Sequence, residues 1–210
     1  MKRFRPAVQA CESRACPTMV FIFPGNALAA ATPDIPTQTA ADRLLQLGDQ
    51  PIQVSTPPMD SPRAFEAVVN YVREVSRGQP IGLIGFSAGG ALALHLAGQP
   101  GLDVRSVLDF YGPPDLRAWF ASHGHDHYYQ YVTSHVHVTP AVVDLLSGPT
   151  HSSAHFFAAF GRQDANVRSD VSLASFQADF PGGQSYVYDG NHGVTIYADY
   201  PAFQSFVASL

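Results

Sequence analysis

The chain has 210 residues, of which 46% are hydrophobic and 14% charged, with a formal net charge of −5. That much apolar and aromatic content with so little charge excludes a disordered chain. Twelve scattered Lys and Arg against 17 Asp and Glu exclude a nucleic-acid-binding surface, and the length fits one domain with a core large enough to need no staples.

Residues 1–17 show no periodicity and read as a tail. The basic start Met1-Lys2-Arg3-Phe4-Arg5 leads into no apolar stretch, because Gln9, Glu12, Ser13 and Arg14 interrupt it, so no signal peptide is expected. Cys11 and Cys16 make neither a disulfide framework nor a zinc set and read as reduced thiols. No apolar run approaches membrane length, so a cytoplasmic protein without a membrane partner is expected.

Met19-Val20-Phe21-Ile22-Phe23 predicts a buried strand closed by Pro24-Gly25. Thr37 predicts the N-cap of a helix carrying Ala41, Leu44 and Leu45 and stopped at Gly48. Ile52-Gln53-Val54 predicts a second strand. Ser61-Pro62 is a helix start with Pro at its first position, and Phe65, Val68, Val69, Val72 and Val75 repeat at helical spacing behind it. Residues 80–86 predict a third strand, 91–97 a small-residue helix and 104–111 a fourth strand. The stretch 112–154 reads as an irregular insertion with one helix start at Thr139-Pro140. Residues 155–160 and 185–188 predict two further strands. Leu173, Phe176 and Phe180 mark the helix between them, and Tyr200-Pro201 opens a last one. Alternating short apolar strands and amphipathic helices predict a mostly parallel six-stranded sheet with helices on both faces, spanning residues 18–210 as one α/β domain.

Gly85-Phe86-Ser87-Ala88-Gly89 follows a predicted strand and opens a predicted helix. A serine there is exposed on a tight, strained turn, which requires small neighbours two residues to either side. Gly85 and Gly89 meet that need, and Gly90 adds room. The helix N-terminus favours negative charge developing at the hydroxyl's reaction partner.

A serine attacks only when a base removes its proton. In this architecture the acid and then the base follow the nucleophile along the chain. Asp164 comes just past the strand at 155–160, and His192 just past the strand at 185–188. Sites of open α/β sheets form at these carboxyl ends. Asp109 and Asp115, in and after the fourth strand, are the alternative acids. Asp189 is too close to His192 to orient it, and His95 reads as structural. Two oxyanion donors are expected: the backbone N–H of Ala88, and that of Asn26 in the loop after the first strand.

With these motifs the chain resembles the α/β-hydrolases over residues 18–210. Ser106-Val107-Leu108-Asp109-Phe110-Tyr111-Gly112, the Gly161–Asp164 turn and the Tyr188–Gly193 loop are similar to dienelactone-hydrolase-like proteins, and the elbow is similar to that of serine carboxylesterases. The resemblance implies a single-domain α/β-hydrolase fold, a cofactor-free ester or thioester hydrolase, and Ser87, Asp164 and His192 as its triad. The chain departs from it in carrying Ser87 where dienelactone hydrolases proper carry cysteine, and Pro24-Gly25-Asn26 where many carboxylesterases carry His-Gly-Gly.

Within the insertion, His123, His125, Asp126, His127, His135 and His137 concentrate potential metal ligands among aromatics. The spacing matches no closed site, so the run reads as a cap segment with no metal. Phe110, Tyr111, Trp119 and Phe120 are expected to line the substrate pocket. The expected substrate is a small ester, lactone or thioester. A non-catalytic binder on the same scaffold, or an acyltransferase or lyase using the same pocket, are the alternatives; the oligomeric state is not encoded in any motif.

Overall fold

The computed structural model describes residues 17–29, 31–124, 126–135, 138–193 and 201–210. Cys11, Cys16, His125, His137 and almost all of the expected tail lie outside them.

Six strands form one sheet: β1 (Met19–Phe23), β2 (Gln50–Gln53), β3 (Pro80–Phe86), β4 (Asp103–Phe110), β5 (His155–Gly161) and β6 (Gln184–Tyr188). Their spatial order is β2-β1-β3-β4-β5-β6 and every pairing is parallel. The chain winds outward from β1 to β2, then crosses to β3 and winds the other way. The crevice between the carboxyl ends of β1 and β3 is therefore the topological switch point.

Parallel strands are buried on both faces, and the alternation within each strand sorts the core into two layers. Phe21 and Phe23 of β1, with Leu83 of β3, face α2 (Pro62–Ser76), α3 (Ala88–Leu96), α6 (Pro140–Leu145) and α7 (Ser169–Asp179). Val20 and Ile22, with Ile84 and Phe86, face α1 (Ile35–Gln46) and α8 (Pro201–Ser209). On α2 the predicted stripe is the buried one: Phe65, Val68, Val69 and Val72. Among the described residues no helix is long and apolar enough to cross a membrane.

Two local expectations are corrected. The N-cap of α1 is Asp34, not Thr37. The Asp34 side chain accepts the Thr37 N–H at 3.0 Å while the Thr37 hydroxyl accepts the Asp34 N–H at 2.8 Å, a reciprocal capping box that starts the helix three residues earlier. The insertion is also not irregular. Besides α6 it holds α4 (Leu116–His123) and α5 (His127–His135). Asp115 caps α4 by accepting the Ala118 N–H at 2.8 Å, and it also accepts the Gly148 N–H at 3.2 Å. These short helices carry scattered aromatic residues and no continuous apolar stripe, so their period is faint in sequence.

Candidate active site

The turn from β3 into α3 places Ser87 in the crevice. Ser87 has φ 49° and ψ −124°, a backbone conformation that a non-glycine residue adopts only where its surroundings enforce it. The enforcement is visible in the neighbours. A Cβ on Gly85 would overlap the Gly89 carbonyl, and one on Gly89 would lie 2.5 Å from the Pro24 carbonyl oxygen. A Cβ on Gly90 would overlap the Asp109 carboxyl group. The turn closes only because these three positions lack side chains.

The loops after β5 and β6 bring the other two predicted residues to Ser87. They run side by side: the Arg162 N–H donates to the Tyr188 carbonyl at 2.9 Å and the Gln163 N–H to the Gly190 carbonyl at 2.9 Å. A Cβ on Gly161 would stand 2.7 Å from the Gly190 oxygen, so only glycine permits this approach. His192 Nε2 lies 2.9 Å from Ser87 Oγ. His192 Nδ1 lies 2.7 Å from Asp164 Oδ2. The second Asp164 oxygen, Oδ1, accepts the Asn166 and Val167 N–H groups at 2.8 and 2.9 Å. The Asp164 side chain is fully buried while the His192 ring is 21% exposed. A carboxylate oxygen accepts only, so this geometry fixes the proton on Nδ1 and leaves the Nε2 lone pair facing the serine hydroxyl.

The alternative acids are engaged elsewhere. Asp115 caps α4. Asp109 is fully buried beneath the elbow; its Oδ1 accepts the Gly112 N–H at 2.8 Å, and its Oδ2 has no partner among the described residues. Burial pushes its pKa well above the ordinary carboxyl range, and the Gly112 N–H opposes that only in part. Asp189 pairs with Arg162 at the surface. His95 is buried with Nδ1 on the Ala91 carbonyl at 2.9 Å, and burial lowers its pKa.

Of the four side chains expected to line a pocket, Trp119 does so and three do not. Phe110 is in the core, stacked on Phe86 with ring centres 5.4 Å apart. Tyr111 is buried with φ 46° and presents its ring to His192, centre to centre 4.9 Å, so it backs the histidine. Burial, chiefly, raises its phenol pKa. Phe120 packs edge-on behind Trp119. The observed cavity is small, about 70 Å³, and runs from Ser87 and Ala88 past Asn26 and Leu28 to Trp119 and Val132. Leu28 and Val132 line it without any sequence motif that marks them. Val132 sits on α5, whose helical period is weak.

The run of histidines also acquires a structure in part. His123 is wedged between Asp126 and the loop of Asp164: Nδ1 is 2.7 Å from Asp126 Oδ2 and Nε2 is 2.9 Å from the Asn166 carbonyl oxygen. Trp119 donates to the same carbonyl at 2.7 Å. These bonds tie α4 to the loop that carries Asp164. Among the described residues no group of three or more His, Cys, Asp or Glu could hold a metal ion.

One of the two expected oxyanion donors has a partner in the structure. The Ala88 N–H donates to the Gly25 carbonyl at 3.1 Å and so is occupied.

Comparison with known proteins places the chain. A family model described as the dienelactone hydrolase family matches residues 32–142, more than half of the chain; the match includes the Ser87 elbow and ends before Asp164 and His192. No curated protein matches the sequence. Solved structures match by fold. An esterase of Pyrococcus furiosus superposes with a TM-score of 0.67 at 16% identity, covering 92% of this chain and 80% of that one. An acetyl ester–xyloside bifunctional hydrolase of Caldicellulosiruptor lactoaceticus gives 0.65 at 16% identity, covering 94% and 82%. A carboxylesterase of Lactobacillus plantarum gives 0.63 at 19% identity, covering 93% and 82%. With its all-parallel sheet and this family match, the chain is an α/β-type hydrolase and belongs to the dienelactone hydrolase family.

Proposed function

We propose that the protein is a serine hydrolase that cleaves small carboxylic esters, lactones or thioesters through an acyl-enzyme on Ser87. The observation that carries this reading is the continuous hydrogen-bonded series Ser87 Oγ–His192 Nε2, 2.9 Å, and His192 Nδ1–Asp164 Oδ2, 2.7 Å. Ser87 Oγ attacks the carbonyl carbon as its proton passes to Nε2. The tetrahedral intermediate collapses, the carbonyl–heteroatom bond breaks, and the imidazolium gives its proton to the leaving oxygen or sulfur. Water repeats the sequence on the acyl-enzyme and frees the acid. Asp164 holds the imidazole tautomer and stabilises its charge throughout. Nothing in this route calls for a metal or an organic cofactor.

The cavity beside Ser87 is about 70 Å³ and lined mainly by apolar side chains such as Leu28, Trp119, Val132 and Val167. That favours a short, uncharged acyl group over a fatty chain. The ester-cleaving names of the structural neighbours agree with this class. A second reading, a binding protein on a hydrolase scaffold, draws on the Gly25 carbonyl that occupies the Ala88 N–H.

The test is a panel of p-nitrophenyl esters of rising chain length, beside a thioester and a lactone. Turnover that is highest for acetate or butyrate, falls with chain length and vanishes in Ser87→Ala is expected. No turnover of any member would overturn the hydrolase reading in favour of the binder. Product analysis with a competing alcohol separates hydrolysis from acyl transfer.

A further inference from the structure

Residues 24–27 form a β-turn in which the Ala27 N–H donates to the Pro24 carbonyl at 3.2 Å. Its central residues are Gly25 and Asn26, and neither has a positive φ. An i to i+3 bond with no positive φ is the type I pattern, since types II, I′ and II′ each need at least one. The central peptide of this turn carries the Gly25 carbonyl on one side and the Asn26 N–H on the other, because a trans peptide directs them oppositely. The carbonyl points at α3 and accepts the Ala88 N–H at 3.1 Å. Gly25 also lies against the nucleophile, since a Cβ placed on it would sit 3.8 Å from Ser87 Cβ. In this arrangement neither expected oxyanion donor serves: Ala88 is occupied and Asn26 is turned away.

One rotation changes both. Type I and type II turns share their ends and differ in the central peptide, with ψ of the first central residue moving from about −30° to +120° and φ of the second from about −90° to +80°. The closing Pro24–Ala27 bond survives that change. The flanking peptides are anchored independently, the Gly25 N–H on Asp34 Oδ2 at 3.2 Å and the Asn26 carbonyl on the Ala29 N–H at 2.8 Å. Only the central peptide must turn, and the bond it loses is the one to Ala88. The second central position of a type II turn requires the left-handed region, which asparagine tolerates better than other non-glycine residues. That position is Asn26, and its side chain is exposed.

We propose that the Gly25–Asn26 peptide is a two-position element of the oxyanion site. With the carbonyl inward the site is closed. When a substrate oxygen becomes negative beside Ser87, the peptide turns over, frees the Ala88 N–H and delivers the Asn26 N–H, and the two donors hold the oxyanion. Asn26 is then a catalytic residue through its backbone, and its tolerance of the left-handed region sets how readily the site opens. The inference rests on the serine-hydrolase reading.

The experiment uses the full chain, isotopically labelled, and the probe diethyl p-nitrophenyl phosphate. Ser87 Oγ attacks phosphorus, p-nitrophenoxide leaves, the hydroxyl proton passes to His192, and the phosphoryl oxygen takes the oxyanion position. In a type II turn the first central Hα lies much closer to the following amide proton than in type I. The Gly25 Hα to Asn26 amide NOE is expected to be weak in the free protein and strong in the adduct. The labelling rate should rise several-fold in Asn26→Gly and fall about tenfold or more in Asn26→Val, because a branched residue in the left-handed region loses about a decade of population. An adduct that keeps the weak NOE, or an Asn26→Val protein that labels at the wild-type rate, overturns the flip while leaving Ser87 reactive. A Ser87 that is never labelled overturns the serine-hydrolase reading, and this inference with it.

Discussion

Replacing Asp164 by asparagine isolates what this residue contributes to the proposed reaction, because the structure fixes where each atom goes. Oδ1 accepts two backbone N–H groups, from Asn166 and Val167. An asparagine keeps those bonds only by placing its oxygen there, which turns its NH₂ toward His192 Nδ1. That nitrogen must then accept, so the ring proton moves to Nε2, and Nε2 can no longer take the proton of Ser87. The same tautomer defect costs about 10⁴ in kcat in a serine protease, or about 5.4 kcal/mol at 1.36 kcal/mol per decade. The Asp164 side chain is fully buried, so water cannot stand in for the lost acceptor. Asp109→Asn and Asp115→Asn are the controls. Asp109 keeps its Gly112 bond through the amide oxygen, and its other oxygen has no partner among the described residues, so asparagine breaks no hydrogen bond there. Asp115 caps α4 and also accepts the Gly148 N–H. Initial rates with p-nitrophenyl acetate, with thermal melts in parallel, should show Asp164→Asn down by about four decades with its melt near wild type, and both controls within about tenfold of wild type. If Asp109→Asn or Asp115→Asn proves the most damaging of the three, the acid has been assigned to the wrong strand.

The other predictions concern the elbow, the buried carboxyl and the cap. Ser87→Ala should remove about six decades of kcat, the scale seen when a triad nucleophile is deleted, with the circular dichroism spectrum unchanged; more than a tenth of the activity remaining would mean that another residue attacks. Gly90→Ala must displace Asp109, and overpacking of this kind destabilises by about 1–3 kcal/mol; a urea midpoint equal to wild type would show that the elbow is looser than described. Asp109 has its folded pKa raised by burial, so between the ordinary carboxyl pKa and that raised value the unfolded chain binds fewer protons than the folded one. Its contribution is therefore full at acid pH, declines as pH rises through that window and then levels. Asp109→Asn should flatten that part of the stability–pH curve, measured by urea unfolding from pH 4.5 upward; parallel curves for the two proteins would refute the assignment. EDTA should leave esterase activity unchanged and elemental analysis should find well under one equivalent of metal. Stoichiometric zinc, lost together with melting temperature, would make the histidine run a ligand set instead.

The strands and the turn at Ser87 are legible because each has a short-range signature. Short apolar runs closed by Pro24-Gly25 or by the glycine-rich turn after Phe86 read as buried strands, and a serine flanked by Gly85, Gly89 and Gly90 can turn where others clash. Choosing Asp164 over Asp109 was legible only from chain order; what separates them physically is that Asp109 points beneath Gly90 while Asp164 reaches His192 Nδ1. The pocket was less legible. Phe110 was expected there, but strand alternation sends it to the α1/α8 layer, and nothing local tells which face of β4 carries the site. Helices α4 and α5 went unseen because their packing is tertiary: Trp119, Val132 and Val167 form a small cluster of their own. The occupied Ala88 N–H has no sequence signature, since it depends on the rotation of one peptide plane in the neighbouring loop.

Activation of Ser87 as a nucleophile by His192 and Asp164 is tested most directly by intact-mass and peptide analysis after treatment with a fluorophosphonate, on wild type and on His192→Ala. One equivalent of adduct is expected on the peptide that contains Ser87, formed rapidly in wild type and slower by orders of magnitude in His192→Ala. Equal labelling of the two proteins, or an adduct on any other residue, would contradict that activation.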